Sequence, residues 1–299
     1  MVFLSKCPLC SSDKIDPHLK CIDHLVSKKE FNLYRCSNCG FVFTQDHPDE
    51  QSISKYYDSD DYISHDDTAK GFLNVAYLLV RDFMFRRKRN IVENTTGYLK
   101  GNLLDIGCGT GYFAGKMKNS GWQVTGIEPN RKARELGAAR FGIDVKDPDQ
   151  ISDIPDQSFD CITLWHVLEH LYDPYKYSTE IKRLLKPGGY CITALPNSGS
   201  YDADFYVKAW AAYDVPRHLW HFNPSTVKLF WDKEGFKIVR IRRLPLDVFY
   251  ISILSEKNLG TALPFIRGSL KGLWFAVKSS FNKDKTSSLI FILQKADHQ

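Results

Sequence analysis

The chain has 299 residues, of which 43% are apolar, and its formal net charge is +5. This length allows one large domain and a small one, and so mild a charge does not favour a nucleic-acid partner, since proteins that bind nucleic acids concentrate basic residues on one face. No apolar run is long enough to span a bilayer, and the residues after Met1 lack the apolar core of a secretion signal. We therefore expect a cytoplasmic protein.

Two Cys-x-x-Cys pairs lie near the start of the chain. Each pair can form a small chelate, and together they supply four thiolates to a tetrahedral zinc ion. A site with four cysteine ligands leaves no open coordination position, so the ion is expected to be structural. The spacing predicts a zinc-ribbon-like module over residues 1–45, with Cys7, Cys10, Cys36 and Cys39 as ligands.

Residues 46–100 are predicted to form a linker and a helical cover. Apolar residues recur at helical spacing from about 71 to 99, and a basic run at 86–89 interrupts them. We interpret this run as the solvated face of a helix that packs on the core. Tyr62 and His65 are further candidates to reach the site from this segment.

The next segment is an apolar strand that contains Asp105 and continues into Gly107, Gly109 and Gly111. Glycine lets backbone approach a ligand closely, and a helix opening at Tyr112 would point free N–H groups at the same place. These features predict a nucleotide site. The dinucleotide fingerprint Gly-x-Gly-x-x-Gly needs glycine where this chain has Tyr112, so plain NAD binding is disfavoured.

A second predicted strand, residues 123–127, ends in Glu128. A carboxylate at this point of a parallel sheet can hold the two hydroxyls of a ribose. Two strand ends are therefore expected to meet at one nucleoside.

The order of the motifs resembles that of the class I S-adenosylmethionine (SAM) methyltransferases. The loop at 105–111, the acidic strand end, a fourth strand at 158–164 and the turn at 184–190 follow one another as in that family, over about residues 101–200. The resemblance implies that SAM binds here and leaves as S-adenosylhomocysteine, with Asp147 beside the adenine. The implied binding residues are Asp105, Gly107, Cys108, Gly109, Gly111, Tyr112, Glu128, Pro129, Asp147, Trp165 and His166.

Residues 164–170, Leu-Trp-His-Val-Leu-Glu-His, follow the fourth strand. If this segment is helical, His166 and His170 lie on one face. The pattern His-x-x-Glu-His also occurs in one group of zinc peptidases, but a peptidase would leave the glycine loop and Glu128 without a purpose. The resemblance instead places His166 near the sulfonium and the acceptor, with Glu169 and His170 as supporting or core polar groups.

Aromatic and titratable side chains concentrate in a predicted acceptor segment, residues 198–235. Residues 214–222 resemble a stretch in methyltransferases of bacterial surface-polysaccharide and sugar-biosynthesis clusters. Arg217 offers a cationic anchor, while some of the aromatic residues can equally belong to the core. The catalytic candidates are His166, Tyr213, His218 and His221.

A long insertion, residues 242–286, separates the last two predicted strands, 236–241 and 287–293. Basic residues outnumber acidic ones in it, and basic amphipathic helices lie on anionic lipid. The insertion is therefore a candidate for peripheral membrane contact at the inner membrane face, which would suit a lipid-linked acceptor. A pocket lid or a dimer surface is the less specific explanation, and both stay open.

Together these patterns predict an α/β chain with a Rossmann-like class I methyltransferase fold, a seven-stranded and mostly parallel sheet in three layers over residues 101–299. The expected function is SAM-dependent methyl transfer by in-line displacement, with a histidine removing the acceptor's proton. The expected acceptor is a small molecule: a sugar, a nucleotide sugar or a lipid-linked glycan precursor. Three alternatives stay open: a quinone-type O-methyltransferase, a nucleic-acid methyltransferase, and a non-catalytic SAM-binding or zinc interaction protein.

Overall fold

Two β-sheets organise the part of the chain that the computed structural model describes, which is residues 1–57 and 72–296, with backbone alone over 72–80. Four strands form the smaller sheet and seven form the larger one. In chain order the strands are β1 (Ile15–Ile22), β2 (Glu30–Cys36), β3 (Val42–Gln45), β4 (Asn102–Ile106), β5 (Gln123–Ile127), β6 (Asp144–Lys146), β7 (Phe159–Trp165), β8 (Leu185–Pro196), β9 (Trp220–His221), β10 (Phe236–Arg243) and β11 (Ser288–Lys295).

The larger sheet has the strand order β10-β11-β8-β7-β4-β5-β6. Strands β4 to β8 pair in parallel, and β11 runs antiparallel to both of its neighbours. This arrangement confirms the predicted Rossmann-like fold. Successive residues of β4 enter different core clusters, because Leu103 packs on one face of the sheet and Leu104 on the other.

Eight α-helices lie in the described ranges. Side-chain caps set the start of four of them: Asn130 accepts a hydrogen bond from Ala133, Asp173 from Lys176, Ser200 from Ala203, and Asn223 from Thr226. The helices are α1 (Phe72–Thr96), α2 (Tyr112–Asn119), α3 (Arg131–Phe141), α4 (Pro174–Leu184), α5 (Tyr201–Tyr206), α6 (Pro224–Lys233), α7 (Asp247–Asn258) and α8 (Pro264–Phe281).

The smaller sheet joins residues 1–45, the cysteine segment, to the predicted acceptor segment, residues 198–235. Its order is β1-β2-β3-β9, and Val42 and Phe43 of β3 pair with His221 and Trp220 of β9. Phe43 also belongs to the same core cluster as Leu104 of the larger sheet. The cysteine segment is therefore packed into the rest of the chain, and the division at residue 45 stays a prediction.

The insertion between β10 and β11 is a pair of helices, α7 and α8, that pack against each other. Among the described residues, no helix combines the length and the apolar character that crossing a bilayer requires.

Candidate functional site

The glycine loop joins β4 to α2 and is tied to the end of β5. Gly107 and Cys108 donate their backbone N–H groups to the carbonyl oxygen of Ile127, at 2.7 and 3.1 Å. Gly107 has a φ of +70°, and a Cβ there would lie 2.5 Å from Val167 Cγ2, so conformation and packing both require glycine. A Cβ on Gly109 would meet no described atom within 4 Å, which leaves room for a ligand against the backbone.

Glu128 follows β5 and holds the loop through its carboxylate. Its Oε2 accepts the N–H of Gly109 and its Oε1 accepts the N–H of Asn130, both at 2.9 Å. Burial raises the pKa of Glu128 although both backbone donors favour the charged form. Each oxygen keeps a lone pair, so the carboxylate fits the hydroxyl pair of a ribose.

Asp105 lies inside β4, where its Oδ1 accepts a hydrogen bond from Thr163 Oγ1 at 2.7 Å. Burial raises the pKa of Asp105 to about 7, against the opposing effects of Thr163 and the Lys88 charge. Lys88 extends from α1, and its Nζ lies 4.6 Å from the centre of the Trp165 ring. This ammonium group fits the carboxylate of an amino-acid moiety such as that of SAM.

Lys88 was missed because the basic run at 86–89 was interpreted as a solvated face. That interpretation is wrong for this residue, since burial lowers the pKa of Lys88 and the charges of Asp105 and Asp247 raise it. The sequence carries a usable signal. Lys88 lies three residues after Phe85 and three before Ile91, so it falls within the apolar face of α1.

The remaining residues predicted to bind SAM lie around the loop. Tyr112 begins α2 directly after it. Asp147 caps the 3₁₀ helix Pro148–Asp153, and its Oδ2 lies 2.9 Å from Arg134 Nη1. The same Nη1 donates to the carbonyl oxygen of Pro129 at 2.8 Å. The contribution of these residues to SAM binding stays a prediction.

His166 follows β7 with a φ of +58°, and a separate 3₁₀ helix, Leu168–His170, comes next. The two histidines therefore do not share a helical face, and the helical option is wrong. His166 Nε2 lies 3.1 Å from Asp247 Oδ2, and its Nδ1 lies 3.4 Å from Glu169 Oε1. Burial lowers the pKa of His166, but these carboxylates outweigh it and raise the pKa to about 9.

His166 can contact a bound ligand, because it follows the carboxyl end of the central parallel strand β7 and 32% of its side chain is exposed. Its partner Asp247 was missed by sequence reasoning. Asp247 begins α7 in the insertion, far from His166 along the chain, so no local sequence pattern links the two residues.

All three catalytic candidates from the acceptor segment, Tyr213, His218 and His221, are buried. His221 lies in β9 with its Nε2 3.0 Å from Thr44 Oγ1, and burial lowers its pKa well below the ordinary value. The ring of Tyr213 packs edge-on against His221 at 5.1 Å between centroids. Burial also raises the pKa of Tyr213. Both contacts lie in the packing around the smaller sheet, and the catalytic roles of both residues stay predictions.

Arg217 has a structural position in place of the expected role as an acceptor anchor. It is 1% exposed, and its Nη2 lies 2.9 Å from Asp23 Oδ1 and 2.7 Å from Asp214 Oδ1. Its Nη1 donates to the carbonyl oxygen of Tyr56 at 2.9 Å. The guanidinium group of Arg217 thus binds groups of the protein itself, and these contacts join the cysteine segment to the acceptor segment.

The four predicted zinc ligands converge. Cys7 Sγ lies 3.6 Å from Cys39 Sγ, and Cys10 Sγ lies 3.6 Å from Cys36 Sγ. A zinc–sulfur bond of about 2.3 Å in a tetrahedron places the sulfurs roughly 3.8 Å apart, so the cluster fits this ion. Tyr62 and His65, the candidates from the linker, lie outside the described residues.

Comparisons with known proteins agree with this site. The sequence profile of the family described as "Methyltransferase domain" matches residues 80–241. The ubiquinone biosynthesis O-methyltransferase of Maricaulis maris is 28% identical over 171 residues, which cover 53% of this chain and 66% of that protein. The tRNA U34 carboxymethyltransferase of Pseudoalteromonas translucida is 33% identical over 159 residues, which cover 48% and 47%. The chain thus spans less than two thirds of the length of either relative.

A solved structure of a proposed sarcosine dimethylglycine methyltransferase from Galdieria sulphuraria shares the fold. It has a TM-score of 0.51 at 17% identity and covers 73% of this chain and 86% of its own. The profile matches more than half of the present sequence, and the matched range contains the glycine loop, Glu128 and His166. The chain therefore belongs to this methyltransferase family.

Proposed function

We propose that the enzyme methylates a hydroxyl group of a small molecule: a sugar, a nucleotide sugar or a lipid-linked glycan precursor. The observation that carries this proposal is the position of His166, partly exposed at the end of β7 and held on both ring nitrogens by carboxylates. An acceptor hydroxyl must lose its proton on methylation, and His166 accepts that proton in its neutral form. Because the two carboxylates raise the pKa of His166 to about 9, turnover should rise with pH towards that value.

SAM supplies an activated methyl group when it is bound, and the chain's own residues hold it and exclude water. Glu128 fits the ribose, Gly109 leaves the backbone open to the ligand, and Lys88 fits the carboxylate of the methionine part. The structural zinc ion is part of the same proposal, since the four thiols fit a tetrahedral site.

The helical insertion supports a lipid-linked acceptor. The outward side of α8 carries exposed apolar residues, and no acidic residue occurs between Glu256 and Asp284. A basic and apolar surface of this kind fits an anionic bilayer. A quinone acceptor is the second candidate, because the Maricaulis maris relative is named for ubiquinone biosynthesis.

Calorimetric titration with S-adenosylhomocysteine tests the donor site. We expect micromolar binding that weakens at least tenfold in Glu128→Ala, because the variant loses the ribose acceptor and the brace on Gly109. Glu135→Ala removes an exposed carboxylate from α3 and serves as the matched control. Equal affinity in the two variants would contradict the assignment of Glu128.

The acceptor is tested by incubating the enzyme with SAM and separate pools of sugar, lipid-linked and quinone compounds, followed by mass spectrometry. We expect methylated product in a sugar-containing pool. His166→Gln should lower turnover at least a hundredfold, far more than it weakens the binding of S-adenosylhomocysteine. Product only in the quinone pool would replace the sugar proposal, and full turnover of His166→Gln would remove His166 as the proton acceptor.

A further inference from the structure

A cluster of one carboxylate and two imidazoles lies between the end of β7 and the acceptor segment. One carboxylate oxygen of Glu169 and one ring nitrogen each of His170 and His218 lie within 4.8 Å of one another. The N–H of Leu219 donates to the carbonyl oxygen of Glu169 at 2.8 Å, which fixes the two segments to each other. This backbone hydrogen bond thus holds the segment of Glu169 and His170 against the segment of His218.

The two imidazoles are oriented by backbone carbonyl groups. His170 Nδ1 lies 3.1 Å from the carbonyl oxygen of Arg217, and His218 Nδ1 lies 2.8 Å from that of Ala212. A ring nitrogen that faces a carbonyl oxygen carries the proton, so Nε2 of each ring keeps a lone pair. Histidines that bind metal ions are oriented in this way.

Glu169 lacks the hydrogen-bond donors that a buried carboxylate needs. Its side chain is 1% exposed, and neither oxygen accepts a hydrogen bond from the described residues. The charge of Oε1 is balanced by His166, whose Nδ1 lies 3.4 Å away, whereas Oε2 has neither a hydrogen bond nor an ion pair among the described residues. A buried carboxylate oxygen without a partner is costly, and a bound cation would supply one.

We propose that Glu169, His170 and His218 bind a divalent transition-metal ion, at a site separate from the four-cysteine cluster. One carboxylate and two imidazoles form a donor set suited to ions such as Mn²⁺ or Zn²⁺. Three protein ligands leave at least one coordination position open, and an oxygen of a hydroxyl or phosphate group can fill it.

The site lies close to the glycine loop. Val167, two residues before Glu169, packs against Gly107. A metal ion at this place would bind an oxygen of the acceptor and lower the pKa of its hydroxyl. This role rests on the proposed function, whereas binding of the ion does not.

Binding of Mn²⁺ alone tests the proposal, because this ion prefers nitrogen and oxygen ligands over thiolates. The full chain is stripped with a chelator, given one equivalent of zinc to fill the cysteine cluster, and titrated with Mn²⁺ under electron paramagnetic resonance. We expect one Mn²⁺ per chain and at least tenfold weaker binding in Glu169→Gln and in His218→Gln. His18→Gln, an exposed histidine outside the cluster, is the matched control.

Thermal unfolding provides a second measurement that does not depend on activity. Mn²⁺ should raise the melting temperature of the wild type and of His18→Gln, and should leave that of Glu169→Gln unchanged. If Glu169→Gln does not fold, His218→Gln carries the same comparison. Absence of Mn²⁺ binding up to about a millimolar, or equal binding by the variants, overturns the proposal. Neither SAM nor acceptor is present, so this result is independent of the proposed function.

Discussion

At the scale of single residues, Asp105 combines a place inside β4 with a pKa far above that of a free aspartate. Burial raises the pKa to about 7, although Thr163 donates a hydrogen bond to the carboxyl group. An unfolded chain ionises an aspartate near pH 4. Between about pH 4 and pH 7 the folded protein therefore holds a proton that the unfolded chain has lost, and the contribution of Asp105 to stability falls as pH rises through that window.

Asp105→Asn should remove this pH dependence, because asparagine keeps the oxygen that accepts from Thr163 but does not ionise. We expect the free energy of unfolding of the variant, relative to wild type, to increase by up to about 4 kcal/mol between pH 4 and pH 7. Urea denaturation at pH 4, 5.5 and 7 measures this difference. Asp153→Asn, at an exposed carboxylate, is the control, and a flat difference for Asp105→Asn would contradict the argument.

At the scale of elements, the packing of α8 determines which of its faces is exposed. Gly268 and Gly272 lie against the backbone of α7, and a Cβ at either position would contact Ile253 or Phe249 there. The helix axes can therefore come close, and the glycine face is buried. Residues on the outward face form an exposed apolar row at helical spacing, which consists of Ile266, Leu270, Leu273 and Val277.

The double substitution Leu270→Gln and Val277→Gln should weaken binding to anionic vesicles at least tenfold, since burying each apolar side chain contributes about 1.5 to 3 kcal/mol. Both side chains are more than half exposed in the folded chain, so the melting temperature should stay near that of wild type. Sedimentation with vesicles of anionic lipid measures the binding, and zwitterionic vesicles test the contribution of charge. Equal sedimentation of variant and wild type would leave the apolar row without a role at membranes.

At the scale of the whole molecule, local patterns predicted the parallel strands and the glycine loop because each is encoded by adjacent residues. The contacts between distant segments were not predictable in the same way. Pairing of β3 with β9 depends on tertiary packing, and so does the approach of Asp247 to His166. Residues 166–170 do not form one continuous helix, because His166, directly after β7, has a positive φ.

Contacts of this long-range kind connect the cysteine segment to the acceptor segment. Strand β3 pairs with β9, and Asp23 pairs with the buried Arg217. His218 follows Arg217 directly, and its backbone carbonyl oxygen accepts a hydrogen bond from Thr44 Oγ1 at 2.7 Å. Loss of order around the four cysteines should therefore reach the acceptor segment.

Removal of the proposed zinc ion with a chelator should increase amide hydrogen exchange in β2, β3 and the segment 217–222 together, while β4 and β5 stay protected. Mass spectrometry of peptides before and after chelation measures this pattern. The experiment is repeated in Glu169→Gln, where the proposed second metal site is absent, so that any change in 217–222 comes from the cysteine cluster. Faster exchange confined to residues 7–45 would show that the cysteine segment loosens by itself, and the buried contacts of Arg217 and Thr44 would then be too weak to couple it to the acceptor segment.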